Sequence, residues 1–330
     1  MNNMRLPKLT YWEPKTLDEL IGMKAAHREK ACLLAGGTDL IPMLKRRNIP
    51  VRELINIKKI PELNELSYEE HKGLRIGAAV TLRTLIDSPV ISSHYPMLAK
   101  ACRVVAFNQL RSMGTVGGNI CLDTKCSYYN QSDFWWKSRP NCYKRGGDTC
   151  YVVRGGKQCF ALSASDTVPA LTTLEADLLI VGSGGTRHLP LQNFYTGDSK
   201  DPLHLKKDEL VSTILIPPPG KEWHDGFSKK SQRGAIDFPI ATLSLRFRGG
   251  KNGPVQAARI ALNGVSVRPI RAVETETYLT GKEITETTKA EALHRLLKEA
   301  SPVSTIGCTV LLRRRMIEVM FMDLIDSLSN

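Results

Sequence analysis

The sequence predicts an α+β chain in two parts, and three features carry that prediction. Pro217-Pro218-Pro219 interrupts the chain directly after a β-like run, and residues without a backbone N–H cannot continue a sheet ladder. Before the prolines, short apolar runs alternate with segments of helical period. Beyond them, residues 226–230, 241–247 and 256–263 read as antiparallel strands, and 288–300 and 310–328 as amphipathic helices that pack on them. The expected division is therefore residues 1–217 and 222–330.

Taken in order, residues 6–11 suit a strand. Thr16 ahead of Leu17-Asp18-Glu19-Leu20 suits a capped helix start. Residues 31–34 (Ala-Cys-Leu-Leu) fit a buried strand that stops at Ala35-Gly36-Gly37-Thr38-Asp39, with a helix expected over 40–47. Strands are expected at 53–57 and 74–78. A helix capped by Thr81 should run through Asp87, and another should occupy 96–106. A second glycine-rich loop follows at 113–120. Strands are read at 174–181 and 209–216, with Gly182-Ser183-Gly184-Gly185 as a hairpin turn after the first, because β-prone residues flank it on both sides.

Composition narrows the function. The chain has 330 residues, enough for two or three subdomains with real cores. No apolar run approaches a membrane span, and the N-terminal stretch has no apolar leader core. A cytoplasmic protein with reduced thiols follows as the expectation. The net charge of +13 is spread over short basic runs rather than one tract. It suits an anionic cofactor or an acidic partner better than nucleic acid, for which no motif is present.

Two glycine stretches, 35–39 and 113–120, each carry a threonine beside the glycines. Backbone N–H groups in such turns form a concave anion site, to which a hydroxyl adds a donor. Two of them suit a ligand with two anchoring regions, such as a dinucleotide. Neither is the G-x-G-x-x-G of a Rossmann unit. Five of the eight cysteines fall between Cys121 and Cys159. Four thiolates from one loop suffice for an iron–sulfur cluster. Structural zinc favours tight C-x2-C pairs, and none occurs here.

The segments 33–40, 111–120 and Ser165-Asp166-Thr167-Val168-Pro169-Ala170, in that order, resemble the FAD-binding medium subunits of the xanthine dehydrogenase family of molybdenum hydroxylases. The resemblance implies a two-subdomain FAD-binding domain (about 1–58 and 59–217), followed by a C-terminal domain of antiparallel sheet and helices. It places FAD against Leu34, Ala35, Gly36, Gly37, Thr38, Asp39 and Leu40 and against Thr115, Gly117, Gly118 and Asn119. Asp166 is implied near the adenosine ribose, and Lys229 (or Lys230) near the isoalloxazine. No residue is implied to be catalytic, as suits an electron-transfer subunit.

Within that family the loop after Gly117-Gly118-Asn119-Ile120 is normally short, whereas here an insertion spans 121–160. It resembles the branch of 4-hydroxybenzoyl-CoA reductase β subunits, whose inserted loop holds a [4Fe-4S] cluster with spacing C-x15-C-x7-C-x8-C. Cys126, Cys142, Cys150 and Cys159 reproduce that spacing and Cys121 is left over. Seven basic residues, Lys125, Lys137, Arg139, Lys144, Arg145, Arg154 and Lys157, surround these cysteines. They are expected to offset the cluster's charge or to guide an acidic carrier. The resemblance further implies a large subunit with a molybdenum cofactor, a small subunit with [2Fe-2S] clusters, a dimer of heterotrimers, and an external carrier such as ferredoxin.

Overall fold

The structure, a computed structural model, describes residues 5–250 and 253–329; Met1 to Met4, in the N-terminal stretch where no apolar leader core is expected, and Asn330 lie outside the described residues. Three sheets organise it. The first is parallel, with β1 (Thr10–Trp12), β2 (Ala31–Leu34) and β3 (Glu53–Asn56) in the order β1-β3-β2. Helices Leu17–His27 and Leu40–Lys45 make its crossovers. The second comprises β4 (Leu66–Glu69), β5 (Gly73–Gly77), β6 (Asp177–Gly182), β7 (Gly185–Pro190) and β8 (Leu210–Ile216). Its order is β4-β5-β8-β6-β7 and every pairing is antiparallel. The third, also antiparallel, holds β9 (Trp223–Lys230), β10 (Ala241–Gly249), β11 (Val255–Asn263) and β12 (Ile270–Arg271) in the order β12-β11-β10-β9.

The α+β class and the C-terminal antiparallel sheet match the sequence reading, and several local elements differ from it. The first strand is Thr10–Trp12 rather than 6–11, because its partner β3 begins opposite Thr10. The second glycine stretch is not a loop. Helix Asn108–Met113 precedes it, and Val116–Ile120 is itself a short helix. Thr115 starts that helix by accepting the Gly118 N–H at 3.0 Å, so hydroxyl capping overrides the poor helix propensity of the glycines. The same device starts the helices at Thr16, Thr81 and Thr285. Residues 174–176 end a helix turn instead of opening β6. The hairpin stands, with Gly182 opposite Gly185.

The first and second sheets share one core, in which Leu20, Ile55 and Ile57 meet Ala79, Val181 and Leu210. A larger core lies between the second sheet and helices Leu82–Asp87, Pro96–Arg103 and Val168–Thr173. The third sheet carries helices Glu286–Ala300 and Val310–Ser329, which bury Leu296, Ile317, Met320 and Phe321 on it. Buried polar contacts join it to the rest: Thr173 to Ser244 at 2.8 Å, and the Asn263 amide donating to the Ser165 carbonyl at 2.8 Å. The proline run between β8 and β9 is clamped at both ends. Tyr95 donates its hydroxyl to the Pro217 carbonyl at 2.9 Å, and Arg246 donates to the Pro219 carbonyl at 2.6 Å. No helix among the described residues is long and apolar enough to cross a membrane.

Tyr95 is fully buried, so Tyr95→Phe removes one hydrogen bond without opening a cavity. It should lower unfolding stability by about 1–3 kcal/mol, seen as a lower denaturant midpoint at unchanged slope.

Candidate functional site

The two glycine stretches meet in space. A Cβ built on Gly36 would sit 2.0 Å from the Met113 carbonyl oxygen and 2.9 Å from the Gly114 Cα, a distance no side chain tolerates. Gly37 follows at φ +70°, in the left-handed region that glycine enters without penalty. On the other side Gly117 is pressed against Ala78, donating its N–H to the Ala78 carbonyl at 3.0 Å. These contacts border a cleft of about 760 Å³, within the size range of a cofactor site.

The cleft is lined by Ala35, Gly36, Gly37, Thr38, Asp39 and Leu40 from the first stretch, and by Thr115, Gly117, Gly118 and Asn119 from the second. Asp166 lies in the same wall. Leu34 does not line it and packs instead in the small core of Leu44, Val51 and Leu54. Asn119 is fixed by its side-chain oxygen, which accepts from the Ser165 hydroxyl at 2.6 Å and the Thr167 hydroxyl at 2.6 Å. Residues from 201–211 and 236–238 also reach the cleft, and no local motif marks them. Ile236 does so at φ +75°, a conformation β-branched residues rarely adopt, with its N–H bonded to the Ala106 carbonyl.

Asp166 and Lys229 form a buried ion pair at 2.7 Å. Lys229 also donates to the Val104 and Asp237 carbonyls, at 2.9 and 3.0 Å. All three of its donors are therefore used, and it is neither a solvated charge on a strand nor in the cleft lining. Asp166 keeps one buried oxygen, Oδ1, with no partner among the described residues. An unpaired buried acceptor beside a cleft calls for a donor from outside, such as a ligand hydroxyl. Burial pushes the Asp166 carboxyl up to about 6, against the pull of Lys229.

The insertion closes on itself. Lys125 and Leu162 exchange two backbone hydrogen bonds, at 2.7 and 2.9 Å, so the chain flanking Cys126 and Cys159 is paired. Between them, Cys126, Cys142, Cys150 and Cys159 line one small pocket, walled by Tyr128, Tyr129, Tyr143, Tyr151 and Phe160. Cys121 is elsewhere, in the cleft wall, its thiol pushed up to about 12 by burial. Backbone N–H groups face three of the four sulfurs. Val153 donates to Cys150 at 3.5 Å, Tyr128 and Tyr129 to Cys126, and Ala161 to Cys159. Burial raises the Cys126 and Cys159 thiols, and those N–H groups oppose it; near Cys159 the Lys144 charge does so too.

Among the described residues no group of three or more His, Cys, Asp or Glu is arranged to hold a metal ion. The four cysteines share the lining of one pocket. The donor set of four thiols, N–H groups aimed at sulfur and an aromatic wall fits an iron–sulfur cluster. Three of the surrounding cations are already engaged. Arg139 stacks 3.6 Å over the Trp135 ring, Arg145 lies 4.9 Å over Trp136, and Lys125 pairs with Asp39 at 2.5 Å.

The profile of the family described as the FAD binding domain in molybdopterin dehydrogenase matches residues 7–219. That of the CO dehydrogenase flavoprotein C-terminal domain matches 227–328. The chain belongs to the FAD-binding medium subunits of the molybdenum hydroxylase family. It is 28% identical over 313 residues to the putative xanthine dehydrogenase FAD-binding subunit XdhB of Escherichia coli K12, covering 94% of this chain and 92% of that one. It is 24% identical over 326 residues to the nicotinate dehydrogenase FAD-subunit of Eubacterium barkeri, covering 97% of each. Carbon monoxide dehydrogenase from Hydrogenophaga pseudoflava has the same fold, with a TM-score of 0.81 at 24% identity over 98% of each chain.

Gly36→Ala should abolish or greatly reduce bound flavin, measured as FAD released per chain, because the Met113 backbone cannot retreat without moving the cleft wall. A second expectation follows from Asp166. The folded chain keeps its proton from the ordinary value of 3.8 up to about 6, so over that window this group makes the folded state lose stability as pH rises. Urea midpoints between pH 4 and 6 should fall more steeply with pH for the wild type than for Asp166→Asn.

Proposed function

We propose that this chain is the FAD- and [4Fe-4S]-carrying subunit of 4-hydroxybenzoyl-CoA reductase. The observation that carries the reading is the gathering of Cys126, Cys142, Cys150 and Cys159 around one pocket, at the C-x15-C-x7-C-x8-C spacing. In this reading residues 1–217 hold both groups, with subdomains of about 1–58 and 59–217 and the insertion at 121–160, and residues 222–330 complete the subunit. Cleft backbone from 35–39 and 115–119 holds FAD, Asp166 Oδ1 accepts one of its donors, and the four thiolates hold the cluster. Bound there, the two groups supply the electron carriage, and the protein positions them.

In this reading the chain carries electrons and the chemistry on the substrate belongs to a partner. That partner is a large molybdenum-cofactor subunit, reached through a small [2Fe-2S] subunit. There the phenolic hydroxyl of 4-hydroxybenzoyl-CoA leaves as water, with two electrons and two protons taken up, giving benzoyl-CoA. The proposed assembly is a cytoplasmic dimer of heterotrimers fed by a carrier such as ferredoxin.

A second reading is the FAD/Fe–S subunit of a molybdenum hydroxylase that oxidises an aromatic or heteroaromatic compound. The full-length likeness to a nicotinate dehydrogenase FAD-subunit favours it.

Anaerobic purification of the assembled enzyme tests the proposal. About four irons and one FAD per chain are expected. Serine at position 126, 142, 150 or 159 should remove iron and leave flavin, whereas Cys121→Ser should retain both. FAD without iron overturns the cluster assignment. Iron-loaded enzyme that oxidises a heteroaromatic acid and leaves 4-hydroxybenzoyl-CoA untouched selects the second reading.

A further inference from the structure

Lys144 stands apart from the other basic residues of the insertion. It is the one charged residue among the described residues lining the cysteine pocket. Its side chain is only 5% exposed. It donates to the Asp123 carboxylate at 2.7 Å, to the Thr124 hydroxyl, and to the Ser199 carbonyl at 2.8 Å. Thr124 in turn donates to the same Ser199 carbonyl, and the Ser199 hydroxyl donates to the Ala161 carbonyl at 2.7 Å, two residues after Cys159. Asp123 lies in the wall of the flavin cleft. One buried ammonium therefore joins the middle of the insertion, both of its ends and the cleft.

We propose that Lys144 is a positioning residue that locks the cluster loop to the flavin cleft, and that its buried charge raises the reduction potential of the cluster held by the four cysteines. The proposal rests on the cluster assignment above. Its physical basis is the placing of the two charges. The ammonium is in the pocket wall, while its carboxylate partner is on the cleft side and 31% exposed, where water screens it. The pocket is walled by aromatic rings, one of which, Tyr129, lies 5.2 Å under the ammonium. In such surroundings a charge acts over a longer range than in water. Adding an electron to a cluster already carrying thiolate charge is then easier beside the cation and harder without it.

The test is an EPR-monitored redox titration of the anaerobically purified holoenzyme, preceded by iron analysis. Lys144→Gln should lower the reduced-to-oxidised ratio of the cluster at fixed potential about tenfold or more, a downward shift of about 59 mV for one electron. Asp123→Asn keeps the lysine, removes its counter-charge and should shift the midpoint upward. Lys144→Arg keeps the charge and should titrate close to the wild type. Lys157 is exposed on the same loop, so Lys157→Gln should move the midpoint far less than Lys144→Gln. A Lys144→Gln enzyme with four irons and an unshifted midpoint overturns the proposal, as does an equal shift in Lys157→Gln. Should Lys144→Gln fail to load iron, the direction of the Asp123→Asn shift decides: upward upholds the proposal, unchanged or downward overturns it. Wild-type enzyme without iron sinks the cluster assignment itself, and iron analysis registers that before any titration.

Discussion

The approach of the Gly36 backbone to the Met113 carbonyl is the constraint on which the cleft depends. A Cβ at 2.0 Å is impossible, so the chain after β2 can meet the start of the Val116–Ile120 helix only if position 36 has no side chain. That contact sets the two glycine stretches on facing walls of the cleft. The shared core of Leu20, Ile55, Val181 and Leu210 holds the walls at that spacing. It joins the parallel sheet to the antiparallel one directly behind the cleft, so apolar burial fixes the geometry that the glycines permit.

Charge is arranged around the two sites by one repeated device. Asp39, Asp123 and Asp166 all line the cleft, which on its own would repel a pyrophosphate. Each is paired with a lysine whose side chain is largely buried: Lys125, Lys144 and Lys229, at 2.5, 2.7 and 2.7 Å. The pairs neutralise the acidic wall, and two of the lysines come from the cysteine loop. The basic character of the chain thus does part of its work inside, where salt screens little.

Much of this was legible in the sequence, and the reasons are local. Threonine caps, the Gly-Gly turn, the hairpin at 182–185 and the spacing of the four cysteines are short-range signals set by neighbouring residues. At 116–120 the glycine composition suggests a loop, and a single capping hydroxyl outweighs it. The engagement of Lys229 with Asp166, 63 residues away, and the reach of 236–238 into the cleft depend on packing between distant sheets, which no local pattern encodes. Leu34 adjoins the glycines in sequence, yet β-strand alternation turns it to the opposite core.

The two hydrogen bonds between Lys125 and Leu162 have a consequence for how such a chain could come to exist. They bring the entrance and exit of the insertion side by side in ladder register, about 5 Å apart. Everything between is a closed lobe whose ends need no repositioning whether the lobe is long or short, and closing a longer loop adds little entropic cost. A lobe can therefore be gained or trimmed at this seam with the flanking chain in place, provided that Asp123, which Lys144 pairs with from within the lobe, is given another partner. The seam is a graft point, where a whole lobe can be set beside a flavin cleft without rebuilding the cores that hold the cleft.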